Sequence, residues 1–366
     1  LIAINVILSF SVEFGNPEAQ KQISSNCSIM STKYAQLAGT LADLKPKSFE
    51  LAPPAPGEVQ IAVRAIGLNF ADVFAIWGLY GATPKGEFTP GLEYSGIIEA
   101  VGEGITHLHP GDRIMGVTRF GAYTTHLNID ARYAIPMPSD WDFPTGAAYL
   151  VQTLTAYYGM ATLGALQRGQ NVLIHSAVGG VGLQALKIAK AYNCFTIGTV
   201  GSPAKVEFAL SQGYDRVIVR GKDFETQLKS ALDGRPLHLL MDSVGGPFFS
   251  IPFDMLAPMG RAVVFGSARY ATASDRANKL HLLWHFFTRP KVDPQRMVET
   301  NRAVLGFNLI WLYENVELLR SLLVELETMH LTPPHVGHVF PFEKLPDAVR
   351  LFQTGKTVGK VVVEIL

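Results

Sequence analysis

Asn171-Val172-Leu173-Ile174-His175-Ser176-Ala177-Val178-Gly179-Gly180-Val181-Gly182 runs from an apolar strand through a glycine turn and opens a helix. This is the G-x-G-x-x-G pattern with Ala177 in the first place. Gly179 lets the backbone come close to a pyrophosphate, and Gly182 lets helix and strand pack tightly. The helix that follows carries apolar residues at Val181, Ala185, Ile188, Ala189 and Tyr192. That stripe can bury against a sheet while the helix N-terminus stays free to attract phosphate. The strand–turn–helix setting makes this a dinucleotide site, with Gly180 and Val181 in the same turn.

Five further strands are expected downstream: Phe195–Thr199, Arg216–Val219, Leu237–Asp242, Arg261–Gly266 and Val304–Ile310. Strands alternating with helices in series predict a doubly wound parallel sheet covered on both faces. A helix is expected over Val316–Met329, then a strand at Val336–Phe340, a helix at Leu345–Gln353 and a last strand at Lys360–Ile365. Upstream, Met30 to about Ala148 reads as short strands with frequent Gly and Pro. Glu58–Ala65 alternates apolar and polar, as a half-buried strand should. The expected fold is therefore α/β, with a Rossmann coenzyme domain and a second, β-rich domain.

The second strand bears on the choice of nicotinamide cofactor. NAD sites usually place an acid ~20 residues after the glycines, on the ribose 2′-hydroxyl. Here Thr199, Val200, Gly201 and Ser202 stand there, with no acid before Glu207. Lys205 follows, and Arg220 ends the third strand. Small uncharged residues with two cations suit the 2′-phosphate of NADPH.

Composition sets the outer bounds. The chain has 366 residues, 48% hydrophobic and 17% charged, with a formal net charge of zero. That fits a two-domain enzyme and gives no reason to expect a nucleic-acid partner. Cys27 and Cys194 are the only cysteines, which excludes a disulfide framework and a four-cysteine zinc lobe and fits a reducing, cytoplasmic compartment. The apolar start Leu1–Phe10 lacks a basic flank, and Met30 opens MSTKYAQLAGT. Residues 1–29 are accordingly read as an upstream extension or targeting remnant.

From about Tyr34 to Leu366 the sequence resembles the zinc-free quinone oxidoreductase branch of the medium-chain dehydrogenase/reductase family. The resemblance is carried by Gly67-Leu68-Asn69-Phe70-Ala71-Asp72, Gly78-Leu79-Tyr80, Pro90-Gly91-Leu92-Glu93-Tyr94-Ser95-Gly96, Leu154-Thr155-Ala156-Tyr157, Asp242-Ser243-Val244-Gly245-Gly246 and Gly260 to Gly266. Asn301-Arg302-Ala303-Val304, Gly306-Phe307, Pro341-Phe342-Glu343-Lys344 and Val358-Gly359-Lys360-Val361 are similar to the subgroup of synaptic vesicle membrane protein homologues. The resemblance implies a GroES-like catalytic domain over residues 30–152, the coenzyme domain over 153–314 and a return to the catalytic domain over 315–366. It also implies hydride transfer from NADPH to a quinone or α,β-unsaturated carbonyl, and a homodimer.

Zinc alcohol dehydrogenases of this fold bind catalytic zinc through Cys, His and Cys. Asn69 and Leu92 occupy the first two of those places here, and no cysteine lies near Gln152–Thr155. A leucine has no electron pair to give, so no metal site is expected. His107, His109, His281, His285, His335 and His338 include metal-like spacings but have no nearby Cys or Asp partner. By resemblance, Asn69 and Tyr80 stand beside the substrate and Thr155 beside the nicotinamide. Asn69 would donate to the acceptor oxygen, Tyr80 would orient the ring or relay a proton, and Asp72 would buttress. Val244, Phe265, Gly266 and Phe307 are expected along the cofactor. The apolar run Lys279–Thr288 is too short to span a bilayer and reads as a lid or dimer contact. The competing reading is a peripherally membrane-associated or lipid-associated nucleotide-binding protein of the same fold with little activity.

Overall fold

Asn171–Ile174 is buried at every position, as a central parallel strand covered on both faces must be. It pairs with Phe195–Val200 on one side and Leu237–Asp242 on the other. Arg216–Val219 extends the first flank; Leu256–Val264 and Ala303–Gly306 extend the second. All these pairings are parallel, and in chain order the sheet runs 3-2-1-4-5-6. The winding reverses between the first and fourth strands, where such sheets open a crevice at the strands' C-terminal ends. The helix Gly180–Ala191 covers one face by burying Leu183, Ala185, Leu186, Ile188 and Ala189. The fold is the expected α/β one, a Rossmann sheet beside a β-rich GroES-like domain.

The computed structural model describes residues 28–366. The expected upstream extension, apart from its last two residues, and Cys27 lie outside the described residues.

The β-rich part is organised on Glu58–Gly67, which pairs antiparallel with Glu93–Val101, His126–Asp130 and Lys360–Glu364. Arg113–Val117 and Ala134–Pro136 continue one flank, and Val336–Pro341 pairs with Lys360–Glu364 on the other. The C-terminal strands thus complete a sheet begun by the N-terminal half. This crossing sets Lys360 beside the end of Glu58–Gly67, next to Asn69. A smaller sheet of Lys45–Leu51, Ile29–Leu37 and Glu87–Phe88 lies outside it.

One segment differs from the sequence expectation. The last Rossmann strand ends at Gly306, and Leu309–Leu312 is a 3-10 turn. Among the described residues this strand has a neighbour on one side only, and the chain departs from it to bring Phe307 and Asn308 to the cleft. The apolar run forms a helix, Lys279–Phe287, started by the Asn278 side chain, which accepts from the His281 N–H at 3.0 Å.

Candidate active site

One cleft of about 1160 Å³ runs between the two sheets, over the point where the winding reverses. The glycine turn forms one end. The strand before it turns sharply at Ser176, whose φ of 53° is left-handed. A Cβ on Gly182 would collide with the Ser176 carbonyl, and one on Gly180 with the Gln152 side chain. A Cβ on Gly179 would lie 3.3 Å from the Ser176 carbonyl oxygen, a tight contact but not a collision. Gly180 and Gly182 are therefore packing glycines, while Gly179 faces the open cleft. No side chain among the described residues caps the helix that starts at Gly180, so its N-terminal dipole points into the cleft.

The ribose end is built from a chain of hydrogen bonds that the sequence does not advertise. His175 is fully buried; its Nε2 donates to the Phe248 carbonyl at 2.7 Å, and its Nδ1 accepts from the Thr199 hydroxyl at 2.7 Å. The Thr199 oxygen in turn accepts from Arg220 Nη1 at 2.9 Å, and the Thr199 carbonyl accepts from the same nitrogen at 3.1 Å. Burial holds the His175 pKa below its usual value, so the imidazole stays neutral and can accept. Arg220 is thereby aimed across Gly201 at the cleft. Lys205 lies nearby, its ammonium donating to the carbonyls of Gly355 and Thr357 at 2.7 Å each. Burial and the neighbouring Arg220 both lower the Lys205 pKa. Two cations held close in a half-buried place favour an anion between them.

The other end of the cleft has a buried ionic floor. Lys360 (4% exposed) pairs with Glu93 (1%) and also donates to Asn69 Oδ1 at 2.8 Å. Asn69 Nδ2 donates to Glu93 Oε1 at 3.0 Å and to the Gly67 carbonyl at 3.2 Å. The second Glu93 oxygen accepts from the Val151 N–H at 3.0 Å. Behind this floor, Asp72 accepts from the Asn69 N–H at 2.8 Å and from the Tyr123 hydroxyl at 3.1 Å. Burial raises the Asp72 carboxyl to about 7, although Lys360 pulls it down. Tyr80 donates to Asn308 Oδ1 at 2.7 Å, and burial pushes its phenol up to about 12.

This donor set does not fit the zinc of the family's alcohol dehydrogenases. Leu92 offers no electron pair, Glu93 is satisfied by Lys360, Asn69 and Val151, and an ammonium already supplies positive charge there. Among the described residues no group of three or more His, Cys, Asp or Glu is placed to hold a metal ion.

The cleft gathers Asn69, Tyr80, Thr155, Gly179, Gly180, Val181, Gly182, Gly201, Lys205, Arg220, Phe265, Gly266 and Phe307. Ala177, Thr199, Ser202 and Val244 do not line it. Ala177 is buried beneath Gly198, Thr199 holds Arg220, Ser202 opens the 3-10 turn Pro203–Lys205, and the Val244 N–H donates to Asp242. Sequence reading missed His175, Lys360, Asn308 and the loop through Gly355, Thr357 and Gly359 as parts of the site. Only the Gly359-Lys360 pair stood out in the sequence, as a family marker rather than a site.

Comparison with known proteins places this geometry. The family described as "Alcohol dehydrogenase GroES-like domain" matches residues 55–139, and "Zinc-binding dehydrogenase" matches 180–309. The human synaptic vesicle membrane protein VAT-1 homolog is 34% identical over 324 residues, covering 87% of this chain and 82% of that protein. The chain belongs to the medium-chain dehydrogenase/reductase family. Among solved family structures, the Escherichia coli quinone oxidoreductase complexed with NADPH has a TM-score of 0.79 at 28% identity, covering 91% of this chain and 99% of that one. The CurK enoyl reductase has a TM-score of 0.78 at 27% identity, covering 92% and 99%. As a family member the chain is of oxidoreductase type, on the quinone oxidoreductase branch. No helix among the described residues is long and apolar enough to cross a membrane.

Proposed function

We propose that this protein is an NADPH-dependent reductase of quinones or α,β-unsaturated carbonyls that works without zinc. The observation that carries the reading is a single cleft with paired cations and no acid at its ribose end, and a buried ammonium at its floor where zinc relatives hold their metal. Gly179, which leaves the turn open to the cleft, and an uncapped helix N-terminus facing it fit a dinucleotide pyrophosphate. Gly179 to Gly182 would hold the pyrophosphate, Arg220 and Lys205 the 2′-phosphate, and Thr155, Phe265, Gly266 and Phe307 the nicotinamide end. A relative of similar fold is a quinone oxidoreductase complexed with NADPH, which supports the same cofactor here.

NADPH, when bound, supplies the hydride. Conjugated acceptors take hydride at carbon without a metal, and the electron pair moves to oxygen. Lys360 lines the cleft, and the one ammonium N–H not engaged by Glu93 or Asn69 would donate to this developing oxyanion. Both Asn69 N–H groups are engaged, so Asn69 positions Lys360 instead of donating to the acceptor itself. Tyr80, with its proton held so firmly, orients the acceptor beside Asn308; the proton that completes the reduction comes from solvent.

Steady-state assays with NADPH and NADH against a panel of quinones and enones test this. Each cation on the 2′-phosphate should contribute about 1–2 kcal/mol. Arg220→Ala should then raise KM for NADPH roughly tenfold and leave KM for NADH nearly unchanged. Wild-type preference for NADH, or an equal effect on both, refutes the cofactor assignment. A second reading is a lipid-associated nucleotide-binding protein, and it draws on the exposed apolar residues of Lys279–Phe287. NADPH binding with flotation on liposomes and no turnover of any acceptor would favour it.

A further inference from the structure

The helix Lys279–Phe287 has large apolar residues at six of its nine positions, and none of its residues is buried. Leu282, Leu283 and Phe286 face the cleft. Leu280, Trp284 and Phe287, spaced i, i+4, i+7, form a second stripe that is 81%, 68% and 70% exposed. A helix apolar on all sides is normally covered on all sides. This one is held in place by its two histidines. His281 Nε2 donates to the Arg269 carbonyl at 2.8 Å, and His285 Nδ1 accepts from Arg269 Nε at 3.0 Å. The helix is therefore a fixed wall of the cleft rather than a loose strap.

At about 1160 Å³ the cleft exceeds the roughly 300–1,000 Å³ usual for one small-molecule site, as a cleft shared by a cofactor and an acceptor must. Phe70, Phe74, Leu79 and the three inward residues of the helix give the cleft apolar lining. Its other cations are at the ribose end and on the floor; Lys279 alone stands at the helix start. A phosphorylated carrier would meet one cation here, whereas a hydrocarbon chain would meet a continuous apolar wall.

We propose that the acceptor carries a long unbranched or prenyl-like apolar tail, which lies along Leu282, Leu283 and Phe286 and leaves the cleft past the outer stripe of the helix. This rests on the reductase reading for the head group, and it fixes the substrate class as lipophilic.

The test uses the full chain and a series of 2-methyl-1,4-naphthoquinones whose 3-substituent is lengthened from hydrogen to dodecyl, kept below aggregation. Affinity is measured by equilibrium dialysis with NADP⁺ present, and turnover with NADPH. Each methylene taken into the cleft should tighten binding by up to about fourfold. The dodecyl compound should bind at least about a hundredfold more tightly than the parent, with KM following. The Leu283→Gln/Phe286→Gln variant changes residues about half exposed already, so it should fold. It should flatten the series while keeping turnover of the parent quinone. A flat series in the wild type, with turnover intact, overturns the tail and leaves the reductase reading standing. Affinity rising with length and lost in the variant, without turnover, upholds the tail and overturns the reductase reading. The same steep rise in the variant means partitioning elsewhere and overturns the proposal. A dimer, seen by sedimentation, that Leu280→Ser/Trp284→Ser dissociates without changing the series overturns the exit past the outer stripe and leaves the tail on the inner one: the cover of the helix would then be a second copy.

Discussion

Replacing Lys360 by Met removes one half of the most deeply buried ion pair among the described residues. Glu93 is 1% exposed and Lys360 4%, so water cannot take over the lost charge. Stranding one partner of a buried pair costs about 3–5 kcal/mol. Glu93 keeps its bonds from Asn69 and Val151 at 3.0 Å each, which places the expected loss near the lower limit, about 3 kcal/mol. For a chain of 366 residues that corresponds to roughly a 4 °C fall in Tm. Removing both charges in Lys360→Met/Glu93→Gln keeps an acceptor for the Val151 N–H and leaves no bare charge. The double variant should recover to within about 1 kcal/mol of wild type, since buried pairs are often neutral against uncharged replacements. The coupling energy should thus be at least about 2 kcal/mol. Chemical denaturation of the wild type, both singles and the double measures it. A Lys360→Met cost under about 1 kcal/mol, or strict additivity, would refute the account of the floor as a desolvated pair. With Lys360 gone, the cation that pulls down the Asp72 carboxyl also disappears, so Asp72 should titrate higher still.

Gly182→Ala should destabilise by about 1–3 kcal/mol and lose nucleotide affinity, because its Cβ would strike the backbone of the turn at Ser176 and Ala177; Gly179→Ala should cost less, and paired melting curves with cofactor titrations would show an inverted order if the packing argument is wrong. Thr199→Val removes a contact that never reaches the cofactor, yet it should cut the NADPH-over-NADH preference severalfold by releasing Arg220; an unchanged ratio of kcat/KM values would mean that Arg220 is held some other way. Asp72 titrates in the folded state at about 7, raised by burial, so folding favours its protonated form. Its contribution is present below the usual carboxylate value near 3.8 and is lost as pH rises through 7. Denaturation of wild type and Asp72→Asn at pH 5 and pH 8 should show the variant gaining relative stability at the higher pH, and a constant difference would contradict the burial argument.

How much of this was legible in the chain follows from which forces act locally. The strand–turn–helix at Asn171–Gly182 announces the nucleotide domain because glycine placement and apolar periodicity are properties of neighbouring residues. The missing acid after Thr199 and the Leu92 in a ligand position are likewise visible one residue at a time. The sequence singled out Arg220 but not what aims it, because His175, just past one strand, and Thr199, on the adjacent one, meet only when the sheet forms. Lys360 and Glu93 are 267 residues apart, and nothing in either stretch says that the last strand will lie beside Glu58–Gly67. Long-range strand pairing set the buried ammonium beside Asn69 at the floor of the cleft. The apolar run 279–288 was conspicuous in the sequence, but its meaning depended on burial: only the tertiary structure shows that it becomes a helix left uncovered along the mouth of the site.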